Sequence, residues 1–162
     1  MAQAPMRTLR PTSEEELAYL AGLIDGEGCI SINRLRRNGE WKVVGAYVKI
    51  GMTDRLGVQL AQDVFGGGMT CKKRTGNMAC YKPMWTWTVC GLRAAYVIDC
   101  ILPYLRVKLP QARLLLQYQK LIPLKGRNRW NSVSQQELSQ RWWMFDRMKR
   151  LNKRAKETPF LS

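Results

Sequence analysis

The chain has 162 residues, of which 46% are hydrophobic and 24% charged, a composition typical of one globular domain with its own core. Its 27 lysines and arginines against 12 acidic residues leave a formal charge of +15, which favours nucleic acid as a partner over an anionic membrane. The complete lack of histidine excludes Ser-His-Asp and Cys-His catalysis and histidine-ligated metal sites. We predict an N-terminal leader over residues 1–12 and a single domain over residues 13–162.

The first predicted helix opens with Ser13 followed three residues later by Glu16, the spacing of a capping box. Apolar residues then recur at helical spacing and indicate one core stripe: Leu17, Leu20, Ala21 and Ile24. A different face carries small residues four positions apart, which would let a second backbone approach closely: Ala18, Gly22 and Gly26. Alternatively, Gly26 and Gly28 simply end the helix.

Beyond Gly28 the hydrophobic period changes from that of a helix to that of a strand. We predict a strand from Ile30, a basic turn over residues 34–39 and a second strand over about 41–52. Thr53 can cap a helix that ends at the glycine run 66–68 and carries the apolar stripe Leu56, Leu60, Ala61 and Val64. Strands over about 69–74 and 83–89 follow, and then helices over about 92–102, 110–121 and 134–155.

The last of these helices is predicted to start with a second capping box formed by Ser134 and Glu137. Its inward side is predicted to carry Leu138, Trp142, Phe145 and Leu151. We also assign to the core one stripe of the fourth strand, Trp85, Trp87 and Val89. The order of elements predicts an α+β fold with one antiparallel β-sheet and helices on one of its faces.

The five cysteines are widely spaced and form no Cys-x-x-Cys pair, so neither a disulfide framework nor a zinc knuckle is indicated. We expect them to be small buried residues in a reducing compartment. No apolar stretch has the length of a membrane span, and the N-terminal residues lack the apolar core of a secretory signal. We therefore expect a soluble intracellular protein with no membrane partner, in the cytoplasm of a microbe or phage host or in an organelle matrix or stroma.

Two carboxylates, Asp25 and Glu27, stand at the C-terminal end of the first helix, where free backbone carbonyls already concentrate negative charge. Further negative charge there is unfavourable unless a cation compensates it, and carboxylate beside carbonyl oxygen suits a hard divalent ion such as Mg²⁺. Metal-assisted phosphodiester hydrolysis is one interpretation. The other, favoured for an acidic pair taken alone, is that both acids only solubilise the helix end.

The nine residues from Leu20 to Gly28, LAGLIDGEG, resemble the signature of the LAGLIDADG homing endonucleases at seven of nine positions. The glycine-rich break after Phe65 and the run LPYLRVK over residues 102–108 resemble the second half of the same family. The resemblance covers roughly residues 17–120 in order. It implies the α-β-β-α-β-β-α fold of that family, in which the antiparallel sheet forms a DNA-binding saddle packed by helices on one face.

The resemblance implies roles for individual residues. Glu27 stands where the family has its metal-binding acid, and the backbone carbonyl of Gly26 matches a second metal ligand. Lys108 matches the basic residue near the scissile phosphate, and Arg55 matches a second basic residue of the same pocket. Asp25 is expected to have a structural role at the helix end. The implied cofactor is Mg²⁺, with Mn²⁺ as a substitute and Ca²⁺ binding without cleavage.

Two positions depart from the family pattern. Glu27 replaces the usual aspartate and is one methylene longer, which keeps the charge but can shift the geometry of a bound metal. The polar residue that often precedes the second helix corresponds here to Gly51 or Met52. The group that would position water is therefore not identified, and reduced activity stays open as an alternative.

One signature supplies one acidic centre, whereas cutting a duplex takes one for each strand, so we expect a two-fold homodimer joined through the small-residue face of the first helix. Its expected substrate is a long, roughly palindromic double-stranded DNA site. Alternate strand residues should face the DNA, mostly as phosphate contacts. The candidates are Ser31, Asn33, Arg36, Arg37, Lys42, Lys49, Lys72, Lys73 and Arg74.

Two rival interpretations remain. Asp25 followed by Glu40-Trp41-Lys42 resembles the Asp…Glu-x-Lys constellation of restriction-type nucleases, although Gly39 places Glu40 at a predicted hairpin tip. The second rival is a non-catalytic splicing cofactor for intron RNA (a maturase) built on the same fold. Its surface charge would look the same, whereas the presence of Glu27, Lys108 and Arg55 favours catalysis.

Overall fold

The computed structural model describes residues 8–37, 39–73, 82–122 and 133–153. Its helices are α1 (Glu14–Glu27), α2 (Arg55–Phe65), α3 (Gly91–Ile101), α4 (Leu109–Lys120) and α5 (Gln135–Leu151). Its strands are β1 (Gly28–Arg37), β2 (Glu40–Met52), β3 (Gly68–Lys72) and β4 (Met84–Cys90), and a 3₁₀ turn, Leu102–Tyr104, follows α3. The predicted α+β class is confirmed. None of the described helices is long and apolar enough to span a membrane.

The four strands form one antiparallel sheet in the order β1-β2-β4-β3. Its inner face packs against the helices and is lined by residues that are almost completely buried: Ile30, Ile32, Ala46, Val48, Ile50, Trp87 and Val89. Because side chains alternate along a strand, the residues between them turn to the opposite face, which we call the outer face. The predicted core role of Trp87 and Val89 is confirmed, and Trp85 is half-buried against the same core.

The start of α1 is fixed by the predicted capping box. The hydroxyl oxygen of Ser13 accepts a hydrogen bond from the backbone N–H of Glu16 at 3.3 Å, and the backbone N–H of Ser13 donates to the Glu16 carboxylate at 3.4 Å. Arg10 forms an ion pair with the same carboxylate at 2.6 Å, and the backbone N–H of Leu9 donates to the carbonyl of Val64 at 2.7 Å. The described part of the predicted leader is therefore attached to the domain.

Two glycines allow close approaches that position the elements. A Cβ atom on Gly28 would lie 2.6 Å from the Cα of Ile24, so this glycine lets β1 start directly against the last turn of α1. Gly67 has a φ of +98°, and a Cβ there would lie 2.5 Å from the side chain of Val89. The glycine run after α2 thus packs β3 closely against β4.

Several predicted details of the helices are wrong. The N-cap of α2 is Asp54, whose carboxylate accepts from the backbone N–H of Leu56 at 2.7 Å, and not Thr53. Leu56 is 79% exposed, because the helix starts at Arg55 and turns its second residue away from the core. Helix α5 ends at Leu151, before the predicted residue 155, and the side chain of Leu151 is exposed.

The second capping box is only half formed. Ser134 accepts from the backbone N–H of Glu137 at 3.2 Å, but the Glu137 carboxylate pairs with the buried guanidinium of Arg141. The expectation of buried cysteines is also wrong where the structure describes them, since Cys71 and Cys90 are exposed and Cys29 and Cys100 are half-buried. Residues 74–81 of the β3–β4 connection, which include Arg74 and Cys80, lie outside the described residues.

Candidate active site and nucleic-acid interface

The signature helix α1 brings its two carboxylates into different environments. The carboxylate of Asp25 accepts three backbone N–H hydrogen bonds, from Arg106 at 2.7 Å, Val107 at 3.1 Å and Lys108 at 2.8 Å. These residues lead directly into α4, whose N-terminal N–H groups have no intrahelical partners. Asp25 therefore tethers the start of one helix to the end of another, and its negative charge faces N–H donors.

The same contact holds a basic side chain at the end of α1. The ammonium group of Lys108 donates a hydrogen bond to the backbone carbonyl of Asp25. Partial burial raises the pKa of Asp25, but the three backbone hydrogen bonds and the positive charge of Lys108 outweigh it, so the pKa lies below its ordinary value. The carboxylate is therefore ionised at neutral pH. It holds the loop over residues 105–108 by accepting hydrogen bonds from its backbone N–H groups.

We expect Asp25→Ala to release this loop. The loss of one carboxylate acceptor should lower the free energy of unfolding by about 1–2 kcal/mol, allowing for solvent exposure, and Tm by about 2–8 °C. Because the folded pKa is depressed, this contribution is present above the ordinary value of 3.8 and is lost as pH falls below it. Thermal unfolding of both proteins between pH 3 and 7 checks this. An exposed carboxylate on α3 is the control, and an effect of Asp99→Ala equal to that of Asp25→Ala would contradict the prediction.

Glu27 is the free carboxylate of the pair. Its side chain is exposed and makes no hydrogen bond or ion pair within the described part of the chain. It follows Gly26 at the C-terminal end of α1, where the last backbone carbonyls of a helix lack intrahelical partners. Across residues 8–37, 39–73, 82–122 and 133–153 there is no group of three or more acidic or cysteine side chains that could hold a metal. One chain therefore offers a single free carboxylate at this point.

Arg55 lies at the same end of the sheet as Glu27. Gly28 pairs with Ile50 in β2, and the strand ends two residues later, at Met52, just before α2 begins with Arg55. The guanidinium of Arg55 lies 5.0 Å from the centre of the Trp85 ring and donates to the side chain of Gln59 at 3.3 Å. The structure thus brings Glu27, Lys108 and Arg55 to one end of the molecule.

The position before α2 that departs from the family pattern is also described. Gly51 pairs with Thr86, and a Cβ on Gly51 would lie 3.8 Å from the Thr86 hydroxyl oxygen. That separation is an ordinary van der Waals contact, so the site could hold a side chain. The hydroxyl of Thr86 is the polar group beside Gly51.

The outer face of the sheet presents polar and thiol side chains in cross-strand rows. Its members are Cys29, Ser31, Asn33, Tyr47, Lys49, Thr70, Lys72, Thr86, Thr88 and Cys90. Of the sequence-predicted DNA-binding residues, Ser31, Asn33, Lys49 and Lys72 lie on this face, and Lys73 is exposed just beyond β3. The side chains of Arg37 and Lys42 lie outside what the structure describes, as does Arg74.

Sequence reasoning did not single out Tyr47, which lies in the middle of this face. Tyr47 pairs with Ser31 on one side and Cys90 on the other, and its hydroxyl lies 3.8 Å from the Cys29 sulfur. Burial, with a contribution from the neighbouring thiol of Cys29, raises the pKa of Tyr47, so its hydroxyl stays a neutral donor at physiological pH. The alternation with Lys49 was the signal that could have identified it.

Arg36 lies on the other side of the sheet. It pairs with Trp41, and its guanidinium lies 5.9 Å from the centre of the Trp41 ring. The same ring contacts Arg34, which also contacts Phe145 of α5, so these side chains face the helices. Arg36 therefore does not share the outer face with Ser31 and the other polar residues.

The small-residue face of α1 is open in the single chain. Ala18, Gly22 and Gly26 are all exposed, and a Cβ on either glycine would meet no atom within 4 Å in the described structure. Neither glycine is therefore required by packing within the chain, although each lowers helix stability by about 1 kcal/mol relative to alanine.

Comparison with known proteins relates this chain to DNA endonucleases. No protein-family model matches the sequence. The DNA endonuclease I-CvuI of Chlorella vulgaris is 30% identical over 122 residues, which cover 71% of this chain and 72% of that protein. A solved structure of I-CvuI with its target in the presence of 2 mM Ca has a TM-score of 0.68 at 24% identity, covering 89% of this chain and 86% of that one.

A second solved structure of I-CvuI contains the I-CreI target in the presence of 2 mM Mg, with the DNA not cleaved. It has a TM-score of 0.66 at 25% identity and covers 90% of this chain and 87% of that chain. The chain belongs to the LAGLIDADG homing endonucleases.

Proposed function

We propose that this chain is a site-specific DNA endonuclease that acts as a homodimer. Two copies, joined through α1, would bind a long, roughly palindromic duplex across the outer faces of their sheets and hydrolyse one phosphodiester in each strand with a divalent metal ion. The observation that carries the proposal is the contrast within the signature. The carboxylate of Asp25 accepts hydrogen bonds from backbone N–H groups, whereas that of Glu27 is exposed and has no partner within the described chain.

The dimer seam is inferred from the open face of α1. Glycine in a helix interior lowers helix stability, and packing within the single chain does not require the two exposed glycines of α1. We therefore infer that contact with a second chain requires them. A second α1 crossing at Gly22 and Gly26 would supply that contact, since backbones approach most closely where side chains are small. Two-fold pairing there would bring both Glu27 residues to the same side of the seam, one for each DNA strand.

The donor set at the end of α1 fits a hard divalent cation. Glu27 offers free carboxylate oxygen, and the backbone carbonyl of Gly26 is adjacent to it at the helix end. Because one chain supplies a single free carboxylate, further ligands would come from the second copy, phosphate oxygens and water. Mg²⁺ is the ion we propose, with Mn²⁺ as a substitute and Ca²⁺ supporting binding without cleavage; when bound, the ion supplies positive charge beside the scissile phosphate.

Basic side chains would stabilise the negative charge that develops on the phosphate. Lys108 is held by the Asp25 carbonyl near Glu27, where its ammonium group can stabilise negative charge that develops on the phosphate. Arg55, ordered against Trp85, can place a second positive charge at the same end of the sheet. The outer-face residues, with Lys49 and Lys72 among them, would hold the duplex in register through phosphate and base contacts.

Metal removal tests this function. We expect the purified protein to select a duplex from a randomised double-stranded library and to cut both strands of it in Mg²⁺ or Mn²⁺. With EDTA, cleavage should stop while binding of the selected duplex persists. Cleavage that continues in EDTA would contradict the metal-dependent mechanism. Binding of duplex with no cleavage in either metal would contradict catalysis and favour the splicing-cofactor alternative.

A further inference from the structure

The outer part of the β1–β2 hairpin, described over residues 34–37 and 39–43, is joined to the rest of the sheet at a β-bulge. Asn33 pairs with Gly45, but the next pair is Arg34 with Val43, so β2 has one extra residue at this point. A bulge bends the strand and increases its twist. The direction in which the outer hairpin projects is therefore set at this irregularity and by whatever contacts hold it there.

One contact ties the outer hairpin to the helical layer. The guanidinium carbon of Arg34 lies 4.4 Å from the centre of the Trp41 ring on β2 and 5.5 Å from the centre of the Phe145 ring on α5. Phe145 is in turn packed edge-to-face with Trp142, with ring centres 5.6 Å apart. We call the three residues Arg34, Trp41 and Phe145 the Arg34 clamp. It spans both strands of the hairpin and the helix that runs beside β1.

We infer that the Arg34 clamp fixes the angle of the outer hairpin and thereby determines how strictly the protein discriminates base pairs at the outer end of each half-site. This inference rests on the proposed DNA-binding function. The hairpin tip lies nine residues along β1 from Gly28, roughly 30 Å from the Glu27 end. Three sequence-predicted DNA-binding positions lie on this segment: Arg36, which faces the helices, and Arg37 and Lys42, which pair beyond the bulge with Glu40 and Leu35.

A small rotation at the bulge has a large effect at the tip. Four residues of strand span about 13 Å, so a rotation of about 10° displaces the tip by about 2 Å. Hydrogen bonds to base edges form only within a few tenths of an ångström of their preferred length. An unclamped hairpin would therefore lose discrimination at outer base pairs, whereas contacts near Glu27 would be unaffected. Arg34 is a positioning residue in this scheme and needs no contact with DNA.

Position-resolved specificity tests the clamp. The duplex selected by the unmodified protein is substituted one base pair at a time, and binding is measured in Ca²⁺ for Arg34→Met, Phe145→Leu and the double variant. We expect each single variant to reduce discrimination at outer positions about two- to fivefold, the order of one exposed cation–π contact, with inner positions unchanged. The double variant should add little, because both changes open the same clamp. Arg34→Lys should restore part of the loss.

Controls separate positioning from direct contact. Arg113→Met removes an equal charge from an exposed site on α4 and should leave the specificity profile unchanged. If Arg34 instead contacts phosphate, Arg34→Met will weaken binding equally at all sequences and reduce its salt dependence, while Phe145→Leu will do nothing, and the inference is overturned. If the specificity profiles of Arg34→Met and Phe145→Leu are both unchanged, the inference about the Arg34 clamp is overturned and the proposed function is not. Failure of the unmodified protein to bind any duplex overturns the proposed function as well.

Discussion

The Glu27→Gln variant is expected to bind its DNA site with nearly unchanged affinity and to cleave it at least about a thousandfold more slowly. The substitution keeps the size and one oxygen of the side chain but removes the charge that would hold a divalent cation. Glu27 has no intramolecular partner within the described chain, so folding should not suffer. Single-turnover cleavage in Mg²⁺, together with binding in Ca²⁺ and a thermal unfolding curve, checks all three statements.

The matched control is Glu40→Gln, the same chemical change at the opposite end of the β1–β2 hairpin. Glu40 pairs with Arg37 next to Gly39, roughly 30 Å along the strand from the end of α1. That separation also argues against a restriction-type site built from Asp25 and Glu40, because Asp25 is engaged at the other end. Loss of cleavage with Glu40→Gln, and not with Glu27→Gln, would favour that rival.

The Gly22→Leu variant is expected to fold as a monomer and to lose double-strand cleavage. In the single chain a Cβ at Gly22 meets no atom within 4 Å, and leucine should stabilise α1 by up to about 1 kcal/mol. In a dimer joined through this face, the side chain would force the two backbones apart. We expect the dimer dissociation constant to rise at least about a hundredfold, as measured by sedimentation. Its Tm should equal or exceed that of the unmodified protein measured at a concentration low enough for the dimer to dissociate.

Gln117→Leu serves as the control for added hydrophobic surface, since Gln117 is exposed in the C-terminal part of α4. It should leave both dimerisation and cleavage intact. A Gly22→Leu protein that remains a dimer and cuts both strands at the normal rate would show that the seam lies elsewhere.

The local sequence predicted most of the elements because their signals are short-range. Ser13 and Glu16 form a capping box within one turn, and the alternation at Ile30, Ile32, Val48 and Ile50 marks the buried face of two strands. The signature itself located the end of α1. Its last glycine is explained only by the structure, since Gly28 is needed where β1 starts against Ile24.

Features that depend on distant residues could not be predicted in the same way. The two acids of the signature look alike in sequence, and they differ only because the loop before α4 supplies backbone N–H groups to Asp25. The bulge between Asn33 and Arg34 has no local signal in the sequence, whereas the alternation of Ile30 and Ile32 already indicates the side on which Arg36 lies, because the extra residue of the bulge belongs to β2. Arg141 is buried although charged, because Glu137 pairs with it one turn away on α5.

The central claim is that two chains each contribute one Glu27, one for each DNA strand. A mixed dimer of one unmodified chain and one Glu27→Gln chain, purified through two different affinity tags, tests it most directly. With Mg²⁺ and a supercoiled plasmid carrying the selected site, we expect at least one strand of each plasmid to stay intact, so that nicked or uncut DNA accumulates. Linear plasmid formed at the rate of the unmodified dimer would contradict the account, because one Glu27 would then suffice for both strands.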